Sequence, residues 1–164
     1  MISVSILYVL IMQSALIFFI NVMAKTEKRR KGDMGEEVAF LYLKKNGYRI
    51  LGRNCKNKFG EIDIVAFKPS GNILNRIIGD RKKGLIVFVE VKTQKQKRED
   101  GLYPERNVGW KKQRSMVRAA ECYLLENNYP DDTDWQIDVI GVELDYASRK
   151  ANLRHLKNAV GRLR

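Results

Sequence analysis

The chain has 164 residues, with 31 Lys and Arg against 19 Asp and Glu and a formal net charge of +12. That length suits one domain with its own core, and the basic excess points to a polyanion partner, either nucleic acid or an anionic membrane surface. The single histidine, His155, and two cysteines without ligand spacing, Cys55 and Cys122, argue against a zinc centre, a Ser–His–Asp triad and a disulfide framework.

Residues 1–24, MISVSILYVLIMQSALIFFINVMA, carry no charge, so the whole net charge falls on residues 25–164. The segment has the length of a membrane-spanning helix, ~20 residues. Lys25, Lys28, Arg29, Arg30 and Lys31 follow at once. The positive-inside rule then gives an inner-membrane anchor, N-out and C-in. A cleaved signal peptide fits less well, because no basic region precedes the apolar run. The competing reading is an upstream extension, residues 1–22, ahead of a start at Met23. Both readings put the folded part in the cytoplasm, where two ordinary thiols are expected. The chain divides into an apolar segment 1–24, a basic linker 25–32 and a folded domain 33–164.

A first helix is predicted over 33–46. Asp33 is its expected N-cap, with Glu36 as capping-box partner. Glu36, Ala39, Phe40 and Leu43 follow the i, i+3, i+4, i+7 pattern, which puts Glu36 at the start of the core-facing stripe. Asn46-Gly47 ends the helix. Strands are predicted over 48–54 and 61–67, joined by a turn at Phe59-Gly60. Residues 72–84 read as a connection, and Leu85–Lys92 as a central strand.

That central strand is an apolar, β-branched run of the kind buried on both faces, yet it ends in Glu90 and Lys92. Side chains two apart on a strand share a face, so these two project together and Val91 turns away. Asp63, in the preceding apolar strand, completes a set of two carboxylates and an ammonium. Such a set suits a divalent metal and a water nucleophile. Magnesium takes oxygen ligands from one or two carboxylates plus phosphate and water, and Asp63 and Glu90 supply the carboxylates. The Val91 carbonyl adds a neutral oxygen. Lys92 is placed to orient the water or to stabilise developing charge. Glu36 would hold an outer-sphere water or a second metal. The bland alternative is a surface Glu–Lys pair at a strand end, with Asp63 capping a turn.

Residues 93–106 are predicted as a loop, with Lys95, Lys97 and Arg98 available to phosphate. A helix is predicted over 108–127, with Met116, Ala119, Ala120, Tyr123 and Leu124 inward. Lys111, Lys112, Arg114 and Arg118 lie outward and would track a nucleic-acid backbone, or form only a solvated face. Trp135–Leu144 reads as a strand parallel to the central one, reached by crossover. Asp138 within it is expected to pair with an arginine, and His155 to be a packing or surface histidine. From Arg149, the spacing of Leu153, Leu156 and Val160 predicts a short helix. The elements run α-β-β-β-α-β, a mixed α/β sheet flanked by helices and preceded by the apolar segment.

At these residues the sequence resembles the YraN family of uncharacterised bacterial proteins. The resemblance lies in Gly35-Glu36 with Ala39, Leu43 and Gly47, in Gly60-Glu61-Ile62-Asp63, and in Val87-Phe88-Val89-Glu90-Val91-Lys92. It continues through Val108, Lys111-Lys112, Ala119-Ala120, Tyr123-Leu124, Ile137-Asp138-Val139 and His155-Leu156-Lys157-Asn158-Ala159. It covers about residues 32–160. That family is similar to the restriction-endonuclease-like nucleases, whose core motif is written PD-(D/E)xK, and to archaeal Holliday-junction resolvases. The resemblance implies a restriction-endonuclease-like fold, with Asp63, Glu90 and Lys92 at the motif positions and Glu36 as the helix acid. Ile62 stands where the motif's name has Pro, and the connection from Asp63 to Glu90 is longer than is usual for the family.

The expectation is therefore a magnesium- or manganese-dependent DNA endonuclease, acting on branched or processed DNA. A junction resolvase needs two active sites, which makes a homodimer the expected arrangement. Fold does not fix function, and two rivals stand. One is a non-catalytic nucleic-acid-binding module of the same fold. The other is a membrane-tethered protein whose basic surface meets anionic lipid.

Overall fold

The structure, a computed structural model, describes residues 27–70, 84–95, 109–148 and 150–161. The apolar segment 1–24, the connection from 71 to 83, and residues 96–108 lie outside the described residues. The anchor and start readings fall there, as do Lys97 and Arg98. Among the described residues, no helix is long and apolar enough to cross a membrane.

The elements are α1 (Glu27–Lys45), β1 (Arg49–Asn57), β2 (Gly60–Pro69), β3 (Gly84–Lys95), α2 (Trp110–Glu126), β4 (Trp135–Asp145) and β5 (Lys150–Val160). The compact unit that carries the sheet begins at Gly32. The five strands form one sheet in the order β1-β2-β3-β4-β5. β1, β2 and β3 pair antiparallel, β3 and β4 pair parallel, and β5 pairs antiparallel with β4. The parallel step needs a crossover, and α2 lies in it. This is the mixed α/β architecture expected, with one strand more.

Alternation along the strands sorts the core into two layers. Val65, Phe67, Ile86, Phe88, Ile137 and Val139 pack with Met116, Val117, Ala119 and Ala120 of α2. Ile64, Ala66, Val87, Val89, Ile140 and Val142 pack with Ala39 and Leu43 of α1. A central strand covered on both sides reads as an unbroken apolar run, which is why β3 lacks alternation. The α1 stripe holds as predicted, with Ala39 and Leu43 fully buried. Gly47 follows the helix at φ 81, a left-handed value that glycine adopts without strain.

Three expectations are corrected. α1 already covers Glu27 to Gly32, so Asp33 lies inside the helix and is not its N-cap. Thr93–Lys95 continue β3, because β4 pairs with them through Leu144. The tail is the strand β5, not a helix. Its apolar residues serve different layers: Leu153 packs on the α1 side, Val160 joins the α2 side, and Leu156 is exposed. Their near-helical spacing is a by-product of an edge strand that buries residues on both faces. A bulge, with Asn158 at φ 50, further breaks its period.

Candidate active site at the fork of β2 and β3

The β2–β3 ladder runs from Pro69↔Gly84 to Ile64↔Val89 and stops. The next opposed positions are Asp63 and Glu90. Past the last rung the strands part, and main-chain groups lose their cross-strand partners. One of them is recovered by a side chain: the Val91 N–H donates to Asp63 Oδ2 at 2.6 Å. Asp63 thus closes the fork that its own strand opens, as the need to satisfy main-chain donors demands.

Glu90 is 5 % exposed, an environment that a lone carboxylate would not tolerate. Both its oxygens are engaged by cations. Lys92 Nζ lies 2.8 Å from Oε1 and Lys112 Nζ 2.8 Å from Oε2. Glu90 follows Ile86 and Phe88 on the α2 face of β3, so a lysine from α2 can reach it. Asp63 feels the opposite balance. Burial, then the negative charge of Glu90, push its carboxyl from 3.8 to about 7, against the opposing pull of the Val91 N–H and Lys112.

Glu36 arrives from α1, and Gly35 explains how. A Cβ on Gly35 would overlap the Thr93 side chain, with Thr93 Cβ only 2.8 Å away. Glycine alone lets the helix come this close to β3, and Glu36 is the next residue. Its carboxyl is half-buried, accepts a hydrogen bond from Asn54 and adds to the negative field on Asp63. Burial raises the Glu36 carboxyl most, with Asp33 and Glu61 adding to the rise. Asn54 stands across from Asp63 in the β1–β2 register, at φ 50.

Three acids and two lysines therefore gather around the fork: Glu36, Asp63, Glu90, Lys92 and Lys112. Lys112 was expected among the outward residues of α2. The signal that places it inward is its spacing, four residues before buried Met116 and on the same stripe as Ala119 and Ala120. Lys111, Arg114 and Arg118 are exposed, as expected. Arg114 lies over the exposed Trp110 ring at 5.4 Å. Lys95 ends β3.

Asp138 and His155 lie on the α1 face, away from this cluster. Asp138 is fully buried, and its partner is His155 Nε2 at 2.7 Å, not an arginine. The Gln136 amide and the Asn158 N–H also donate to it. Tyr42 and Tyr48 flank the imidazole. The arrangement fastens β5 and the end of α1 to β4.

The donor set fits an oxygen-seeking divalent ion. Asp63 and Glu90 come next after the last rung of the β2–β3 ladder, and burial, then the Glu90 charge, raises the Asp63 carboxyl to about 7, a cost that a cation would remove. Among the described residues, no group of three or more His, Cys, Asp or Glu side chains is arranged to hold a metal. A closed protein cage is therefore absent there. An open site using two carboxylates, with waters and phosphate completing the shell, is the magnesium pattern.

Fold and site together define a mixed α/β protein with a carboxylate–lysine cluster at a strand fork. The chain belongs to the Uncharacterised protein family UPF0102, which matches residues 35–142. A UPF0102 protein of Alkaliphilus oremlandii (strain OhILAs) is 38% identical over 133 residues, 80% of this chain and 97% of that one. One from Pelobacter propionicus (strain DSM 2379 / NBRC 103807 / OttBd1) is 38% identical over 138 residues, 83% of this chain and 86% of its own length. One from Roseiflexus castenholzii (strain DSM 13941 / HLO8) is 32% identical over 133 residues, 81% of this chain and 94% of that protein. The likeness to the YraN family read from the sequence is this same family.

Proposed function

We propose that this protein is a magnesium- or manganese-dependent nuclease that hydrolyses phosphodiester bonds in DNA in the cytoplasm. The observation that carries the reading is the fork itself: Asp63 and Glu90 opposed where β2 and β3 part, with Lys92 bonded to Glu90 beside them. Asp63, Glu90 and the Val91 carbonyl would hold the ion. When bound, it supplies a Lewis acid and a water of lowered pKa. Lys92 orients the attacking water and stabilises charge on the phosphate oxygens. Glu36, partly buried and above its ordinary pKa, takes part as a proton acceptor or through a bound water. Lys111, Arg114 and Arg118 meet the phosphate backbone, joined by Lys95, Lys97 and Arg98.

The test is cleavage of labelled duplex, single-stranded, flapped and four-way-junction DNA by the full chain, with and without magnesium or manganese. Metal-dependent cutting that disappears in Asp63→Ala and Lys92→Ala establishes the nuclease and identifies the preferred shape. Binding without cutting, unchanged in both variants, rejects it.

One observation favours a second reading, a binding module without catalysis. Glu90 is already neutralised by two ammonium groups, which makes the cluster self-sufficient as a structural element. That reading predicts salt-dependent nucleic-acid affinity that is indifferent to divalent ions.

A further inference from the structure

Lys92 and Lys112 hold the two oxygens of Glu90 in different ways. Lys92 is two residues along the same strand, so its position follows from that of Glu90. Lys112 reaches across from α2 on a four-carbon stem, and its side chain is 40% exposed against 32% for Lys92. Its helix neighbours Lys111 and Arg114 already face solvent. Of the two, Lys112 is the cation free to turn outward.

Charge counting gives that freedom a purpose. Glu36, Asp63 and Glu90, when ionised, outnumber Lys92 and Lys112 by one negative charge. A divalent ion taking an oxygen of Glu90 turns that into one positive charge in excess, in a site where screening is weak. The excess is relieved when one ammonium leaves and a phosphate arrives.

We infer that Lys112 is a built-in counter-cation, which holds Glu90 until a divalent ion displaces it and then turns outward to contact the substrate phosphate. The inference rests on the metal-site reading above and adds a phosphate-contacting residue to it. Metal and nucleic acid then bind cooperatively, since each removes the charge imbalance that the other creates. It also makes Lys112 the member of the basic α2 face that links backbone recognition to the fork.

The test is amine acylation of the full chain at fixed pH, read residue by residue by peptide mass spectrometry, with and without manganese. Lys112 should react several-fold faster once manganese is bound, while Lys111 stays unchanged. In parallel, manganese affinity is measured by electron paramagnetic resonance for wild type, Lys112→Met and Lys111→Met. Lys112→Met should bind manganese about tenfold tighter, because a competing cation at contact distance is gone, and Lys111→Met should match wild type. Manganese that binds wild type and Lys112→Met equally, with Lys112 labelling unchanged, overturns the exchange and leaves the metal site standing. No manganese binding by any of the three proteins overturns both.

Discussion

The Val91 N–H and the Asp63 carboxylate meet at 2.6 Å, so the strand that ends the acidic motif is clipped to the residue that begins it. Val91 lies between Glu90 and Lys92, and fixing its N–H fixes the direction in which both neighbours project. Under the proposed function Asp63 would have two tasks: to donate an oxygen to the metal ion and to set the geometry of the other two residues. Its replacement disturbs both, which is why variants at this position must be judged by stability as well as activity.

The protonation of Asp63 makes metal-free stability depend on pH. Burial and the Glu90 charge raise its folded pKa to about 7, above the ordinary 3.8. Between those values the folded protein keeps a proton that the unfolded chain has lost. This contribution is complete below the unfolded value and disappears as pH rises through about 7. In metal-free buffer, wild type should lose stability relative to Asp63→Asn between pH 5 and 8, by roughly 1–3 kcal/mol once partial exposure is allowed for. Urea titrations of the two proteins across that range check it, and parallel curves would refute the shift.

Substituting Gly35 tests the close approach of α1 to β3. Gly35→Ala forces a methyl group into Thr93 and should cost about 1–3 kcal/mol. Thr93→Ala removes the hydroxyl and methyl while its own Cβ stays close, so the double variant should recover part of the loss. A double-mutant cycle of denaturation midpoints measures the recovery. Additive losses would mean that the helix yields elsewhere.

His155→Ala should be among the most damaging single changes. It strips a fully buried carboxylate of its imidazole partner, leaving only the Gln136 amide and the Asn158 N–H. Breaking one side of such a pair costs about 3–5 kcal/mol. The expected readout is a lowered thermal midpoint, together with early hydrogen exchange in β5. A change under about 0.5 kcal/mol would show that Asp138 is satisfied without the imidazole.

Removing the outward basic residues of α2 should alter binding but not folding. Lys111→Ala, Arg114→Ala and Arg118→Ala together should reduce the salt dependence of duplex DNA affinity by about two to three units of slope. These side chains are exposed, so the unfolding free energy should move by only about 0.5 kcal/mol. Fluorescence anisotropy at several salt concentrations decides it, and an unchanged slope would remove this face from the interface.

Much of the fold was legible because the core residues carry strong local signals. β3 announces itself by its β-branched run, and α1 by the spacing of Ala39 and Leu43 ahead of Gly47. The parallel β3–β4 pair followed from the intervening helix. β5 was not legible, because an edge strand with a single neighbour is under weaker demand for alternation, and its bulge at Asn158 erased what remained. At the site, Asp63, Glu90 and Lys92 stood out as charges in apolar strands. Lys112 did not, because Lys111, Lys112 and Arg114 look alike in sequence. What separates Lys112 from the other two is its spacing four residues before Met116, which puts it on the stripe that faces the sheet. The Asp138–His155 pair joins residues on neighbouring strands through a register that no local pattern encodes.

The order in which the strands appear along the chain bears on how the molecule comes off the ribosome. A nascent chain extended only through β3 already carries Glu36, Asp63, Glu90 and Lys92. It lacks α2, which supplies Lys112, and β4, which covers the open edge of β3. Contacts between distant segments form late, since their loops must close first. The cluster is thus completed only when the second half of the chain has been made and has crossed over. An unfinished copy holds most of the ingredients of the fork without its assembled form.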